Sequence, residues 1–264
     1  MWKAPRVMPS RVTLSTSCFF PDTELSFQIA QELGYDGVEV MVSHDRKSQT
    51  IDSVRDLSTK YEMPISSIHV PCLAISQHVW GWNPELKLRR AVEMAEAVES
   101  KTIVVHPPFR WQREYGNQFI DLIKELNDAN PEITVAVENM YDIDAFGRRV
   151  NPYLHNDDPS LGSFPAIVLD TSHAAAARWD PLDMFQLIGD RVQHMHLSDS
   201  TGTRGDEHLP PGDGDLPLGK LMHGVKVSDY SGDVVIEVAF QRVPEPHRLE
   251  ATRDALTWTK TQLA

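Results

Sequence analysis

Eight short runs rich in β-branched and aliphatic residues recur along the chain, separated by stretches whose apolar residues return every third or fourth position. The runs are VTLSTS (12–17), GVEVMV (37–42), ISSIHV (65–70), TIVVH (102–106), TVAVEN (134–139), AIVLD (166–170), VQHMHLS (192–198) and DVVIEVA (233–239). Between them ELSFQIAQEL, IDSVRDLSTKY, ELKLRRAVEMAEAVES, GNQFIDLIKELNDA and PLDMFQLIGDR have the periodicity of core-facing helices. Pro84 and Pro181 stand where a first helical turn accepts proline. A short helix over LGKLMHGVK and a last one over PHRLEATRDALTWTKTQL complete the series, whereas the connection after the fifth strand, YDIDAFGRRVNPYLHNDDPSLGSF, has loop chemistry. Such alternation over 264 residues predicts an α/β fold, a single (β/α)8 TIM barrel domain spanning 1–264. A doubly wound open sheet is the competing architecture. It usually declares itself by a glycine-rich turn after an early strand, and neither GxGxxG nor GxxxxGK[ST] occurs.

Composition narrows the class of function. The opening MWKAPRVMPSRV lacks the apolar stretch of a signal peptide, and no apolar run approaches the roughly 18 residues of a membrane span, so a cytoplasmic protein is expected. Cys18 and Cys72 form no CxxC pair in a chain too long to depend on a disulfide, which fits a reducing compartment. With 25 basic against 38 acidic residues the formal charge is −13, which disfavours an electrostatically driven nucleic-acid or membrane partner.

Ionisable residues fall at the ends of the predicted strands: His69, His106, Glu138, Asp170, His196 and Glu237. In a parallel barrel these ends converge on the one mouth where barrel enzymes keep their active sites. In TVAVE, residues Thr134, Ala136 and Glu138 share a face, so the valines at 135 and 137 can face helices while Glu138 points inward. His194 and His196 likewise share a face. Taken singly, each of these residues is more often a hydrogen-bonded structural residue than a ligand. Lysine and arginine, however, are nearly absent from the strand ends, so the carboxylates lack a protein counter-charge. A divalent metal supplies one. Histidine, aspartate and glutamate without cysteine suit zinc, manganese, cobalt, iron or magnesium. Two glutamates across a substrate also give the geometry for removing and returning a proton next to a carbonyl. No GxSxG elbow supports serine hydrolysis.

At VEN (137–139), LDTSHAAAARWD (169–180), HLSD (196–199), DEHLPPGDG (206–214) and IEV (236–238) the chain resembles the xylose isomerase-like barrel superfamily. That superfamily joins metal-dependent sugar isomerases and epimerases to the endonuclease IV type of abasic-site repair enzyme. The resemblance implies a metal held by Glu138, Asp170, His196 and Glu237, with Glu138 and Glu237 as the acid/base pair and His173 as a further catalytic or ligand residue. The endonuclease group extends its site to three zinc ions, and the matching residues are His69, His106, His173, Asp206 and His208. One to three divalent ions per chain are therefore implied, Zn2+ or Mn2+ first, with Co2+ or Mg2+ as alternatives.

Two readings of function stay open. The first is a metal-dependent isomerase or epimerase acting on a small sugar or sugar phosphate through an enediolate. The second is a zinc phosphodiesterase or abasic-site endonuclease, which would require nucleic acid as a partner. Against it, VPCLAISQHVWGWN after His69 lacks the polar, tyrosine-bearing loop of the repair enzymes, His106 is followed by PPF, and MVSHDRKSQT matches a DNA-wedging loop poorly. Arg204 is a candidate phosphate or enediolate contact, with a loop-surface arginine as the competing reading. Trp82 and Trp111 are candidate sugar-stacking side chains, with loop packing as the alternative. His194, two residues deeper than His196, reads as a packed or hydrogen-bonded core residue, and the PPGDGD turn as the device that aims His208 inward. A homo-oligomer is a further implication of the resemblance.

Overall fold

The computed structural model describes residues 10–145, 148–158, 160–203 and 205–264. In chain order its regular elements are β1 (Val12–Ser15), α1 (Thr23–Leu33), β2 (Val38–Met41), α2 (Ile51–Tyr61), β3 (Ile65–His69), α3 (Pro84–Ala97), β4 (Thr102–Val105), α4 (Arg113–Ala129) and β5 (Thr134–Glu138). They continue with β6 (Ile143–Ala145), β7 (Arg148–Val150), β8 (Ile167–Asp170), α5 (Thr171–Ala176), α6 (Pro181–Ile188), β9 (Val192–Leu197), α7 (Leu218–Val227), β10 (Asp233–Ile236) and α8 (Arg248–Leu263). Short 3₁₀ turns cap several connections.

The helices begin where side chains can satisfy the free N–H groups of a first turn. Asp22, Thr50, Asn83 and Asp180 accept from the backbone of α1, α2, α3 and α6, and Pro84 and Pro181 occupy the first helical positions of the last two. Gly34 ends α1 in the left-handed conformation, φ 78°. Each predicted strand forms, a little shorter than its sequence run. No helix forms between β5 and β8 among the described residues. The antiparallel pair β6 and β7 stands there instead, a hairpin that the loop-like composition of the segment gave no reason to expect.

Eight strands close into a parallel barrel in the ring order β1-β10-β9-β8-β5-β4-β3-β2, the architecture the alternation predicts. Outside the ring the main core packs strand against helix, and Val135 and Val137 belong to it. Ala136 belongs instead to a small inner cluster with Val104, Ala166 and Val168, so β5 alternates as its sequence implies. Elsewhere inside the bore several buried residues are polar, among them Thr13, Glu39, Ser67, His194 and His196. No described helix is long and apolar enough to cross a membrane.

One loop carries two of the expected ligands back to the mouth. After β9, Asp199 receives Ser200 N at 2.8 Å and Leu216 N at 3.1 Å on one carboxylate oxygen, and Gly212 N at 2.9 Å on the other. Its backbone exchanges two hydrogen bonds with Leu209. A single buried aspartate therefore gathers both ends of the PPGDGD turn, and His208 is held just before it at φ 47°, in the left-handed region. Replacing Asp199→Ala leaves three backbone donors without their acceptor. We expect a loss on the order of 3 kcal/mol in urea-unfolding free energy, against little change for a surface control such as Glu62→Ala.

Candidate metal centre

Glu138, Asp170, His196 and Glu237 come from the ends of β5, β8 and β9 and from just beyond β10. They meet in one buried group whose nearest ligand atoms all lie within 4.8 Å of one another. His196 Nδ1 faces three carboxylates at once: Glu237 Oε2 at 2.7 Å, Glu138 Oε1 at 3.0 Å and Asp170 Oδ2 at 3.7 Å. One imidazole nitrogen carries at most one proton, so it cannot serve three anions.

The motif DTSH shows how sequence builds the site. Asp170 Oδ1 caps α5 by accepting His173 N at 2.7 Å, which leaves Oδ2 for the centre. Asn139 receives Asp170 N at 2.7 Å and donates to Asp170 O at 3.1 Å, fastening the end of β8 to the segment that follows Glu138. Thr171 Oγ1 donates to Ser198 O at 2.6 Å and accepts Ser198 N at 3.0 Å, tying α5 to the end of β9. Ser172 Oγ donates to Asp206 Oδ1 at 2.7 Å and accepts the backbone N–H of Glu207 and of His208, each at 3.2 Å. Its neighbours in sequence thus position each ligand.

Two further groups adjoin the first. His69, His106 and Glu138 form one, and Asp170, His173 and His208 form the other, each within the same 4.8 Å limit. Asp206 Oδ2 joins the latter, 3.0 Å from His208 Nε2 and 3.5 Å from His173 Nε2. Three of these imidazoles turn one nitrogen to a backbone carbonyl: His69 Nδ1 to Val70 O at 3.1 Å, His173 Nδ1 to Asn139 O at 2.9 Å and His208 Nδ1 to Glu237 O at 2.8 Å. A carbonyl only accepts, so Nδ1 carries a proton and Nε2 is turned inward.

Sequence reasoning missed Glu39. Fully buried on β2, its Oε2 receives Ser67 Oγ at 2.7 Å and lies 3.1 Å from Nε2 of both His194 and His196. An ionised carboxylate accepts from both rings, which keeps the His196 proton on Nε2 and turns Nδ1 to the cluster. His194 is accordingly a hydrogen-bonded core residue, as its depth in the strand suggests. The one signal available was a glutamate flanked by Val38 and Val40 in an otherwise apolar strand.

Burial and charge compete throughout the site. Burial opposes ionisation of Glu138, yet His196 and His106 hold its carboxyl well below the ordinary range. The same opposition governs Glu39, held low by His196 and His194, and Asp206, held low by His208 and His173. Glu237 is lowered by His196 against its own burial. Burial would depress the imidazoles. His106 follows it and is lowered, while Glu39 and Glu237 raise His196 well above its usual value, and Asp170 and Asp206 raise His173 to about 10.

The residues fit a divalent cation. Among the described residues, the buried side-chain nitrogen and oxygen atoms without a hydrogen-bond partner are Glu39 Oε1, His106 Nδ1, Glu138 Oε2, Asp170 Oδ2 and His194 Nδ1, and all belong to this cluster or to the Glu39 group beneath it. Glu138 Oε2 lies 2.9 Å from His106 Nε2 and 3.4 Å from His69 Nε2, but neither approach has hydrogen-bond alignment. An unmet buried carboxylate oxygen is costly, and a cation meets several at once. Three carboxylates and one imidazole form a donor set that zinc, manganese, cobalt and magnesium accept.

The other expected contacts fall elsewhere. Trp82 and Trp111 are exposed and line a separate cleft with Tyr115 and Gln118, outside the cavity over the ligand cluster, and Trp111 stacks on Phe109 at 4.1 Å. Arg204 lies outside the described residues. The cavity over the cluster, about 210 Å3, is lined at its floor by Ser17, His69, His208 and Glu237.

Over residues 27–262 the chain matches the family described as xylose isomerase-like TIM barrel, and it belongs to that family. It is 39% identical to an uncharacterized protein of Mycobacterium leprae over 96% of this chain and 98% of that protein. It is 23% identical to fructoselysine 3-epimerase of Shigella flexneri over 84% of this chain and 87% of the relative. Among solved structures, the AP endonuclease, family 2, from Brucella melitensis superposes with a TM-score of 0.72 at 19% identity, covering 96% of this chain and 99% of that one. The IOLI protein, crystallised with a zinc atom bound, superposes with a TM-score of 0.70 at 15% identity over 96% and 99% of the two chains.

If Glu39 orients His196, Glu39→Gln weakens metal binding. We expect a drop of roughly 10–100-fold in affinity for Mn2+ or Zn2+ by titration calorimetry. Unaltered affinity would remove Glu39 from the site.

Proposed function

We propose that the chain is a divalent-metal-dependent isomerase or epimerase of a small polyhydroxy carbonyl compound, working by proton transfer through an enediolate. The observation that carries this reading is the convergence of two glutamates, Glu138 and Glu237, on one ligand group that also holds Asp170 and His196. Epimerases among its relatives support it.

Glu138, Asp170, His196 and Glu237 would hold the ion, which supplies Lewis acidity to polarise a carbonyl and lower the barrier at the adjacent carbon. Glu237 lines the cavity, so it is the residue that takes the proton from that carbon. Ser17 Oγ donates to Glu237 Oε1 at 3.0 Å, which favours the ionised form that a base requires. Glu138 is deeper, 1% exposed, and in this reading exchanges the second proton from the other side of the ligand group. His173, at the edge of the same group, positions a substrate hydroxyl.

A second reading, a zinc phosphodiesterase or abasic-site endonuclease, is favoured by one specific observation. The two adjoining groups built on His69 and His106, and on Asp206 with His173 and His208, are more than a single ion needs. Several ions could activate hydroxide and stabilise a leaving oxygen.

Two measurements separate these readings. Metal analysis of protein purified without added metal is expected to give one exchangeable manganese, cobalt or zinc per chain for the isomerase, and about three zincs for the phosphodiesterase. Incubation in deuterium oxide with a panel of ketoses is expected to place deuterium on a carbon next to the carbonyl, and Glu237→Gln to slow this by roughly 100-fold or more. Cleavage of an abasic-site oligonucleotide, lost in Glu138→Gln, with no exchange into any sugar, would replace the first reading by the second.

A further inference from the structure

The cavity that meets the ligand cluster differs sharply between floor and wall. Its floor presents Glu237, His69, His208 and Ser17, while Met41, Val42, Pro71, Leu73, Val238 and Ala239 form most of its sides, with Ser43, His44, Ser76 and Gln241 among them. Phe20 and Ile75 stand at its rim, 42% and 68% exposed, two of the larger apolar side chains the protein leaves to solvent. None of the described residues lining it is lysine or arginine. Scattered apolar side chains on a surface are ordinary. Here they are contiguous, concave, and directed at the one place where carboxylates converge.

Charge and volume constrain what can enter. A phosphate monoester brings about −1.5 to −2 charges and is usually met by arginine, lysine or several backbone N–H groups. Among the described residues the lining offers no lysine or arginine, so such a group would find neither a guanidinium nor an ammonium to meet it. A volume of about 210 Å3 equals about seven water molecules at their share of the liquid. That holds one sugar-sized unit and leaves anything attached to it against the rim.

We propose that the substrate is an uncharged polyhydroxy carbonyl compound carrying an apolar substituent, with its oxygens toward Glu237 and the substituent against Leu73, Ile75 and Phe20. This rests on the isomerase or epimerase reading of the same site. The polar cluster fixes where the reacting carbons lie, and the apolar wall selects among compounds that share them.

The test uses Mn2+-loaded protein and four D-ketohexoses, fructose, psicose, tagatose and sorbose, each as the free sugar, the 6-O-benzyl ether and the 6-phosphate. Affinity is measured by titration calorimetry and solvent deuterium exchange by NMR. For at least one sugar the benzyl ether is expected to bind roughly tenfold or more tighter than the free sugar, the effect of burying about two methylene groups, and the phosphate no tighter. Ile75→Ser, at an exposed position, is expected to bring the benzyl ether's affinity down to near that of the free sugar measured on the same variant. Tightest binding of a phosphate, especially if Arg204→Ala abolishes it, overturns the proposal, as does a benzyl preference that Ile75→Ser leaves intact or binding of no form at all. A benzyl preference with no deuterium exchange from any form would defeat the isomerase reading and leave the apolar subsite standing. Exchange with phosphates preferred would do the reverse.

Discussion

Three carboxylates brought to one imidazole nitrogen form a conflict that the protein cannot relieve with its own protons, and the barrel mouth is organised around it. Burial makes the conflict severe, because water cannot spread the charge. The chain holds the arrangement in place by pairing other polar edges of the ligands: Asp170 through the α5 cap and Asn139, Glu237 through Ser17, and His69, His173 and His208 through backbone carbonyls. Glu138 Oε2 and Asp170 Oδ2 stay unpaired at the centre. A site with this distribution of met and unmet atoms is preorganised for a cation.

The ligand cluster and the apolar wall of the cavity come largely from different parts of the fold. The group of Glu138, Asp170, His196 and Glu237 stands on strands or immediately after them, where the closed ring fixes its spacing. The apolar side chains of the cavity come mostly from the connections after β1, β2, β3 and β10. The same division accounts for what could be read from sequence. The eight strands were legible because parallel barrel strands are short apolar runs, and the ligand residues because imidazoles and carboxylates at the ends of such runs need a reason. The hairpin of β6 and β7 was hidden in a segment whose composition fits any loop. Glu39 was hidden because its partners, His194 and His196, are 155 and 157 residues away, and nothing local to GVEVMV announces them. Trp82 and Trp111 lie close to the site in sequence and line another cleft in space, since a loop's course is set by packing and not by its distance along the chain.

Position 39 also matters to the barrel as a solid body. β2 and β9 are not neighbours in the ring, so the contacts from Glu39 to His194 and His196 run across the bore rather than around its wall. Most barrels of this kind fill that space with interdigitating apolar side chains that can slide a little past one another. A carboxylate shared by two imidazoles and a serine has a narrow range of lengths and angles, and it acts as a spoke. The width of the ligand cluster is thereby braced from below, by side chains of β2, β3 and β9 and not by the loops of the rim.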